Sequence, residues 1–355
     1  MRIFLIGTSL ATKLFTQYFS QNKDYIVFCT HNECENEFID IVPDDICELK
    51  DFALANDINL TILCDENAIS SQIAKEFEEV GLGVFAPQGE GLDVVLSKNR
   101  TKRFAYRNKI PTPHFQTYEK AQMAIDTIRK NPLPIAIKPD YHSGISTRLC
   151  ETFGSAKSAV EEFFATGSKK IITEDFIQGK EFTIWTICDG YNPVMLGNCA
   201  TYQNSIVKFE ADFLDDNLKN EIFNNTIIPF LTALSQNYGE YLGLLGFDFI
   251  LAPNGQYYLL ECNTFLRDLE AQMFIEAIDE NWTDLFLATL EGTLLKDFAK
   301  IKTKDKYYFA HQTWENGEVL TMTVQGRTKN EAKKMLFEEC DCAKEFELAL
   351  KTWGQ

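Results

Sequence analysis

Asp248, Glu261 and Asn263 are oxygen donors set within a largely apolar stretch, LLGFDFILAPNGQYYLLECN. Two strand-like runs flank APNG, and Pro-Asn-Gly in that order is a strong turn signal. With Ala252 facing Tyr257 across a four-residue loop, Phe249 meets Leu260, Phe247 meets Cys262 and Asp248 meets Glu261. Gly246 then lies opposite Asn263 on the same face, because side chains alternate along a strand. A one-residue slip would press Glu261 against Phe247, so the hydrophobic pattern favours the first register. Two carboxylates directly opposite one another repel, and one pKa rises unless a cation sits between them. Two carboxylates and an amide suit Mg2+, which fills its remaining positions with waters and phosphate oxygens. The competing explanations are an exposed acidic sheet face and a Lys or Arg partner from elsewhere in the chain.

Two lysines weigh against an idle acidic face. Lys98 opens the basic stretch SKNRTKRFAYRNKIPTP, and Lys138 ends the strand-like IAIK beside a loop containing Ser143, Gly144 and Ser146. A lone lysine at a strand end is ordinarily a solubilising terminus. Two of them, with a Ser/Gly loop and an acidic hairpin to follow, fit phosphate ligands around a metal. IITEDFIQGKEF, alone a common strand-turn pattern, gains value from its order in the chain: Glu174, Asp175, Phe176 and Ile177 can offer backbone edges to an adenine, and Glu181 can accept from ribose hydroxyls. His142, in the same loop, could touch a γ-phosphate, although a lone loop histidine is more often uninvolved.

These side chains need a scaffold. RIFLI, YIVFCT, NLTILC and GVFAP alternate with helical patterns in LATKLFTQYF, LKDFALANDI and ISSQIAKEFEEV, which predicts a parallel sheet with crossover helices over about residues 1–90. Gly7-Thr8-Ser9 lacks a full GxGxxG and reads as a tight strand-to-helix turn. A basic helix follows from Ser97 and stops before Pro111 and Pro113. KKIITEDFIQGKEFTIWTIC gives two strands about Gln178-Gly179, and residues 304–355 add two strands and a helix.

Bulk properties exclude several classes. The chain has 355 residues, 45% hydrophobic and 24% charged, with 52 Asp and Glu against 34 Lys and Arg for a formal charge of −18. Nucleic acids and anionic membranes are engaged through clustered positive charge, so neither partner is expected. The N-terminus has no secretory pattern and no run reaches membrane-spanning length, so a soluble cytoplasmic protein is expected. Ten cysteines without a CxxC pair and four scattered histidines make structural zinc unexpected.

Taken in order, SK at 97–98, IAIKPD at 135–140, ITEDFIQGKEF at 172–182, GFDFI at 246–250 and LLECN at 259–263 resemble the ATP-grasp ligase superfamily across nearly the whole chain. Within it the nearest likeness is to the phosphoribosylamine–glycine ligases, whose N-C-R-F-G-D-P-E-T-Q is similar to CNTFLRDLEAQ here. NLTILCDENAI likewise resembles their first-domain pattern, with Glu66 at the acidic position. The resemblance implies an α/β protein, α+β in its ATP-grasp part. It implies a Rossmann-like domain at 1–90, an ATP-grasp domain at 91–300 with a lid at about 112–182, and a short α/β domain at 301–355. It also implies ATP with Mg2+ or Mn2+, and ligation of a small-molecule carboxylate to an amine through an acyl phosphate; a monomer or homodimer is expected only as the default for soluble enzymes. Lys98, Lys138, Ser143 and Gly144 would then hold phosphates, Glu174 to Ile177 the adenine, Glu181 the ribose, and Asp248, Glu261 and Asn263 the metal.

The chain departs from that pattern on the substrate side. The family's Arg after the metal Asn is Phe265, its Gly before the Asp is Arg267 and its Pro is Leu269. DYHSGIS has one glycine and no lysine, and the P-N-T-G-G-M-G segment has no counterpart. Arg267 is the candidate to meet the acyl phosphate or the substrate carboxylate in place of the missing arginine; the alternative is an ion pair with Asp268 or Glu270. Asp268 and Glu270 also suit the first turn of a helix. Two other functions compete: an Mg-ATP-binding protein without ligase activity, and a carboxylase of the biotin-carboxylase kind.

Overall fold

The computed structural model describes residues 1–34, 37–140, 147–202, 206–315 and 318–339. Its strands are, in chain order, β1 (Arg2–Ile6), β2 (Ile26–Cys29), β3 (Leu60–Leu63), β4 (Val84–Phe85), β5 (Phe115–Tyr118), β6 (Ile135–Pro139), β7 (Arg148–Cys150), β8 (Ile171–Asp175), β9 (Lys180–Gly190), β10 (Pro193–Tyr202), β11 (Ile206–Phe209), β12 (Tyr241–Leu251), β13 (Tyr257–Asn263), β14 (Tyr307–Glu315) and β15 (Glu318–Gly326). The chain divides into two compact units. One consists of Met1–Gly89, Phe182–Gly246 and Thr264–Gln355, the other of Glu90–Glu181 and Phe247–Asn263.

In the first unit, β1 to β4 form a parallel sheet in the order β2-β1-β3-β4. Leu60 to Leu63 are all buried, because helices cover both faces of such a sheet. The expected helices follow β1 (Leu10–Ser20) and β2 (Ile46–Ala55). ISSQIAKEFEEV does not form one helix: Ser71 is extended, so one helix ends at Ser70 and the next runs Ile73–Glu78.

At the turn after β1, Asp65 Oδ2 accepts the N–H groups of Thr8 and Ser9 at 2.6 and 3.3 Å, while its Oδ1 accepts Ala68 N–H at 2.9 Å. A Cβ at Gly7 would lie 2.8 Å from that Oδ2, so the turn requires glycine. The helix start that binds a phosphate in a dinucleotide loop is filled here by the chain's own carboxylate.

The same unit holds the antiparallel run β9-β10-β11-β14-β15, with the start of β12 next to β9. An aromatic core gathers around Phe15, whose ring lies 5.2 Å from Trp282, 5.8 Å from Phe265 and 6.0 Å from Phe286.

In the second unit, β5 to β8 form an antiparallel sheet in the order β5-β8-β6-β7. Helices Ala121–Ile128 and Phe153–Ala165 bury Ile125, Ile128, Val160 and Phe163 against Ile135, Ile137 and Ile171. Side chains alternate along each strand, so Lys138 and Glu174 fall on the sheet's other face; Ala136 pairs with Glu174 and Lys138 with Ile172.

The β12–β13 turn is tighter than expected. Gly255 N–H donates to Ala252 O at 2.9 Å and Ala252 N–H to Gln256 O at 2.8 Å, so Ala252 meets Gln256 rather than Tyr257. Gly255, at φ +84°, supplies the left-handed residue that a three-residue loop with a bulge needs. Asn263 reaches Asp248 directly, its Nδ2 donating to Oδ2 at 3.0 Å.

Candidate active site

The helix Lys98–Arg107 begins where Ser97 caps it by accepting Arg100 N–H at 3.1 Å. Asp140, two residues beyond Lys138, anchors the same turn. Its Oδ1 accepts the Ser97 hydroxyl and the Asn99 N–H, both at 2.8 Å, and its carbonyl accepts Lys98 N–H at 3.0 Å. The two expected phosphate lysines are thereby tied to one carboxylate residue.

Their ammonium groups converge on shared glutamates. Lys98 Nζ lies 2.9 Å and Lys138 Nζ 3.8 Å from Glu261 Oε2, and Lys138 Nζ is also 3.2 Å from Glu174 Oε2. A third lysine joins them. Lys102 Nζ sits 3.3 Å from Glu174 Oε2 and donates to Thr112 Oγ1 at 2.9 Å and Leu259 O at 3.1 Å. Glu261 thus has the lysine partner that the sequence left open as an alternative to a metal.

The two buried lysines beside Glu174 titrate in opposite directions. Burial draws Lys102 down to about 8, with Lys138 repelling it further and Glu174 holding it up. Burial also acts on Lys138, but Glu174 and Glu261 outweigh it and raise that ammonium well above the ordinary lysine range. Lys138 therefore stays charged, as a phosphate ligand must.

The residues present fit Mg2+ and a nucleotide. Two carboxylates and an amide on one hairpin are hard oxygen donors. Glu174, only 2% exposed, has an Oε1 closed to water and without a hydrogen-bond partner among the described residues. A buried acceptor of this kind calls for a donor, and an exocyclic amine supplies one. After Glu174 the chain turns outward. Asp175 and Phe176 are exposed and Ile177 is half-buried, with the Asp175 N–H donating to His114 O at 2.9 Å. A Cβ at Gly179 would lie 2.5 Å from Leu251 O, so only glycine fits there. Glu181 is exposed, and its charge helps to hold Lys138 protonated. Ser143, Gly144 and His142 lie outside the described residues.

Arg267 belongs to the first unit, and there it engages Glu270, one of the two partners considered. Its Nε donates to Glu270 Oε2 at 3.0 Å and its Nη2 to Thr183 Oγ1 at 2.9 Å, with Glu270 buried. Asp268 and Glu270 lie in the first turn of the helix Asp268–Ala277. Burial pushes the Asp268 carboxyl up, against hydrogen bonds from the backbone of Ala11 and Leu10. Phe265, where the family has arginine, is a core residue packed on Phe15.

Sequence reasoning missed Lys102 and Asp140. Lys102 stands four residues after Lys98, the spacing of one helix face, and Asp140 completes the quoted IAIKPD.

Residues 96–271 match the family described as phosphoribosylglycinamide synthetase, ATP-grasp (A) domain. The phosphoribosylamine–glycine ligase of Clostridium acetobutylicum is 24% identical over 321 residues, covering 83% of this chain and 76% of that protein. The structure of a phosphoribosylamine–glycine ligase from Thermotoga maritima superposes with a TM-score of 0.71 at 16% identity, covering 95% of this chain and 96% of that one. The biotin carboxylase domain of 2-oxoglutarate carboxylase from Hydrogenobacter thermophilus also superposes, with a TM-score of 0.71 at 15% identity over 88% of this chain and 74% of that one. At these identities the structural likenesses establish the fold alone. Residues 96–271 of the chain thus carry an ATP-grasp domain similar to that of the phosphoribosylglycinamide synthetases.

Proposed function

We propose that the unit formed by residues 90–181 and 247–263 binds Mg2+-ATP and activates a small-molecule carboxylate as its acyl phosphate for capture by an amine. The observation that carries this is the convergence of Lys98 and Lys138 on Glu261, 2.9 and 3.8 Å away. In this reading the two ammonium groups leave Glu261 for the nucleotide phosphates and neutralise charge during phosphoryl transfer, which requires positioning rather than a nucleophilic side chain. Glu261, Asp248 and Asn263 hold the metal, Mg2+ or Mn2+, which supplies Lewis acidity at the phosphates when bound. Glu174 and the backbone to Ile177 hold the adenine, and Glu181 the ribose.

Substrates are small molecules, and the protein acts in the cytoplasm as a monomer or homodimer. The burial of Phe265 in place of an arginine supports a substrate pair other than glycine and phosphoribosylamine.

The test is ADP release with Mg2+-ATP across carboxylate and amine pairs, including glycine with phosphoribosylamine and bicarbonate without an amine. ADP that forms only when both a carboxylate and an amine are present supports the ligase. ADP with bicarbonate alone transfers the reading to a carboxylase, and nucleotide binding without turnover of any pair refutes ligation.

A further inference from the structure

Among the described residues of the second unit Lys102 is the most enclosed charge, its side chain 1% exposed. An ammonium has three N–H donors, and Lys102 has three partners for them: Thr112 Oγ1, Leu259 O and Glu174 Oε2. None of these is a group expected to meet a phosphate or a metal, and two of them are uncharged anchors that hold the nitrogen in place. Lys138 differs. Its two partners are both carboxylates, Glu174 and Glu261.

If Lys138 turns toward a phosphate, it leaves Glu174 Oε2. A buried carboxylate stripped of its cation is strongly unfavourable, which would hold Lys138 back. Lys102 removes that obstacle because it stays where it is. We infer that Lys102 is a positioning residue of the nucleotide site, the fixed counter-ion of Glu174 that releases Lys138 to the nucleotide. The inference rests on the Mg2+-ATP reading above. The position of the Lys102 ammonium beside Glu174 Oε2, still protonated at neutral pH, is in keeping with it.

The alternative is that Lys102 is only a strut from the helix Lys98–Arg107 to Leu259. The two are separated by titrating Mg2+ with a non-hydrolysable ATP analogue into the full chain, as wild type, Lys102→Gln, Glu174→Gln and the double variant, each checked for folding by circular dichroism. Lys102→Gln should weaken binding about tenfold, as for one charge-assisted contact. The same substitution in the Glu174→Gln background should change it less than about twofold, because no charge remains to compensate. An equal loss in both backgrounds, or no loss in either, overturns the inference and leaves a strut. Should Lys102→Gln not fold, Lys102→Met in the Glu174→Gln background takes its place, since replacing both charges is tolerated where removing one is not. A wild type that does not bind the analogue refutes the nucleotide reading itself, a result distinct from either outcome for Lys102.

Discussion

Asp140 accepts the Asn99 N–H at 2.8 Å, so the loop that leaves β6 just after Lys138 holds the first turn of the helix that begins with Lys98. Asp140→Ala removes this bond and the one from the Ser97 hydroxyl, both buried. Stability should fall by about 2–4 kcal/mol in urea unfolding, and nucleotide affinity should fall with it. Asp140→Asn keeps one acceptor and should lose less of both.

Asp248→Asn and Glu261→Gln separate metal binding from nucleotide binding. Each should lower Mg2+-dependent ADP formation on the order of 100-fold. Glu261→Gln also removes the charge that occupies Lys98, so without metal it should bind the ATP analogue at least as tightly as wild type. Unchanged turnover in both variants would exclude the hairpin as the metal site.

The site should respond to alkaline pH through Lys102, whose neighbours are Glu174, Lys138, Glu261 and the Cys262 thiol. Lys138 is held well above the ordinary range and burial pushes Cys262 well up, so neither changes charge as Lys102 titrates at about 8. Analogue affinity should therefore fall as pH rises through about 8 in wild type and stay flat in Lys102→Met. Stability should move the other way. The folded pKa lies below that of a free lysine, so above about 8 the unfolded chain binds more protons, and wild type gains stability relative to Lys102→Met.

Arg267→Ala removes the ion pair of Glu270, which is 1% exposed, whereas Arg267 itself is 45% exposed. The expected loss is about 2–3 kcal/mol in urea unfolding, below that of a fully buried pair. Arg267→Lys should recover only part of it, because an ammonium cannot reproduce the fork that reaches both Glu270 and Thr183. A loss of turnover without any loss of stability would instead make Arg267 a substrate contact.

Gly179→Ala places a methyl group against the Leu251 carbonyl, a backbone atom that cannot move aside. A loss of about 1–3 kcal/mol is expected from thermal unfolding.

The parallel sheet was readable because its strands are nearly continuous apolar runs separated by helical patterns, a period that survives without tertiary information. The hairpin was readable as a hairpin from Pro-Asn-Gly. Its loop length was not, because that depends on whether Gly255 takes the left-handed conformation. Lys102 could not be picked from a basic stretch in which several residues carry the same charge. Its partners Glu174 and Leu259 are distant in sequence, so only the folded chain identifies it. Position 265 shows the reverse: read against relatives it is a lost arginine, and in the fold it is an aromatic core residue whose identity is set by Phe15.

The second unit is assembled from two stretches, Glu90–Glu181 and Phe247–Asn263, with residues 182–246 assigned to the first unit between them. During synthesis Lys98, Lys102, Lys138 and Glu174 leave the ribosome long before Leu259 and Glu261, and the Lys102–Leu259 bond spans 157 residues. Until the hairpin arrives, Glu174 faces Lys102 and Lys138, and Lys98 lacks Glu261. Closing so long a loop is slow, which makes the nucleotide site a late product of folding.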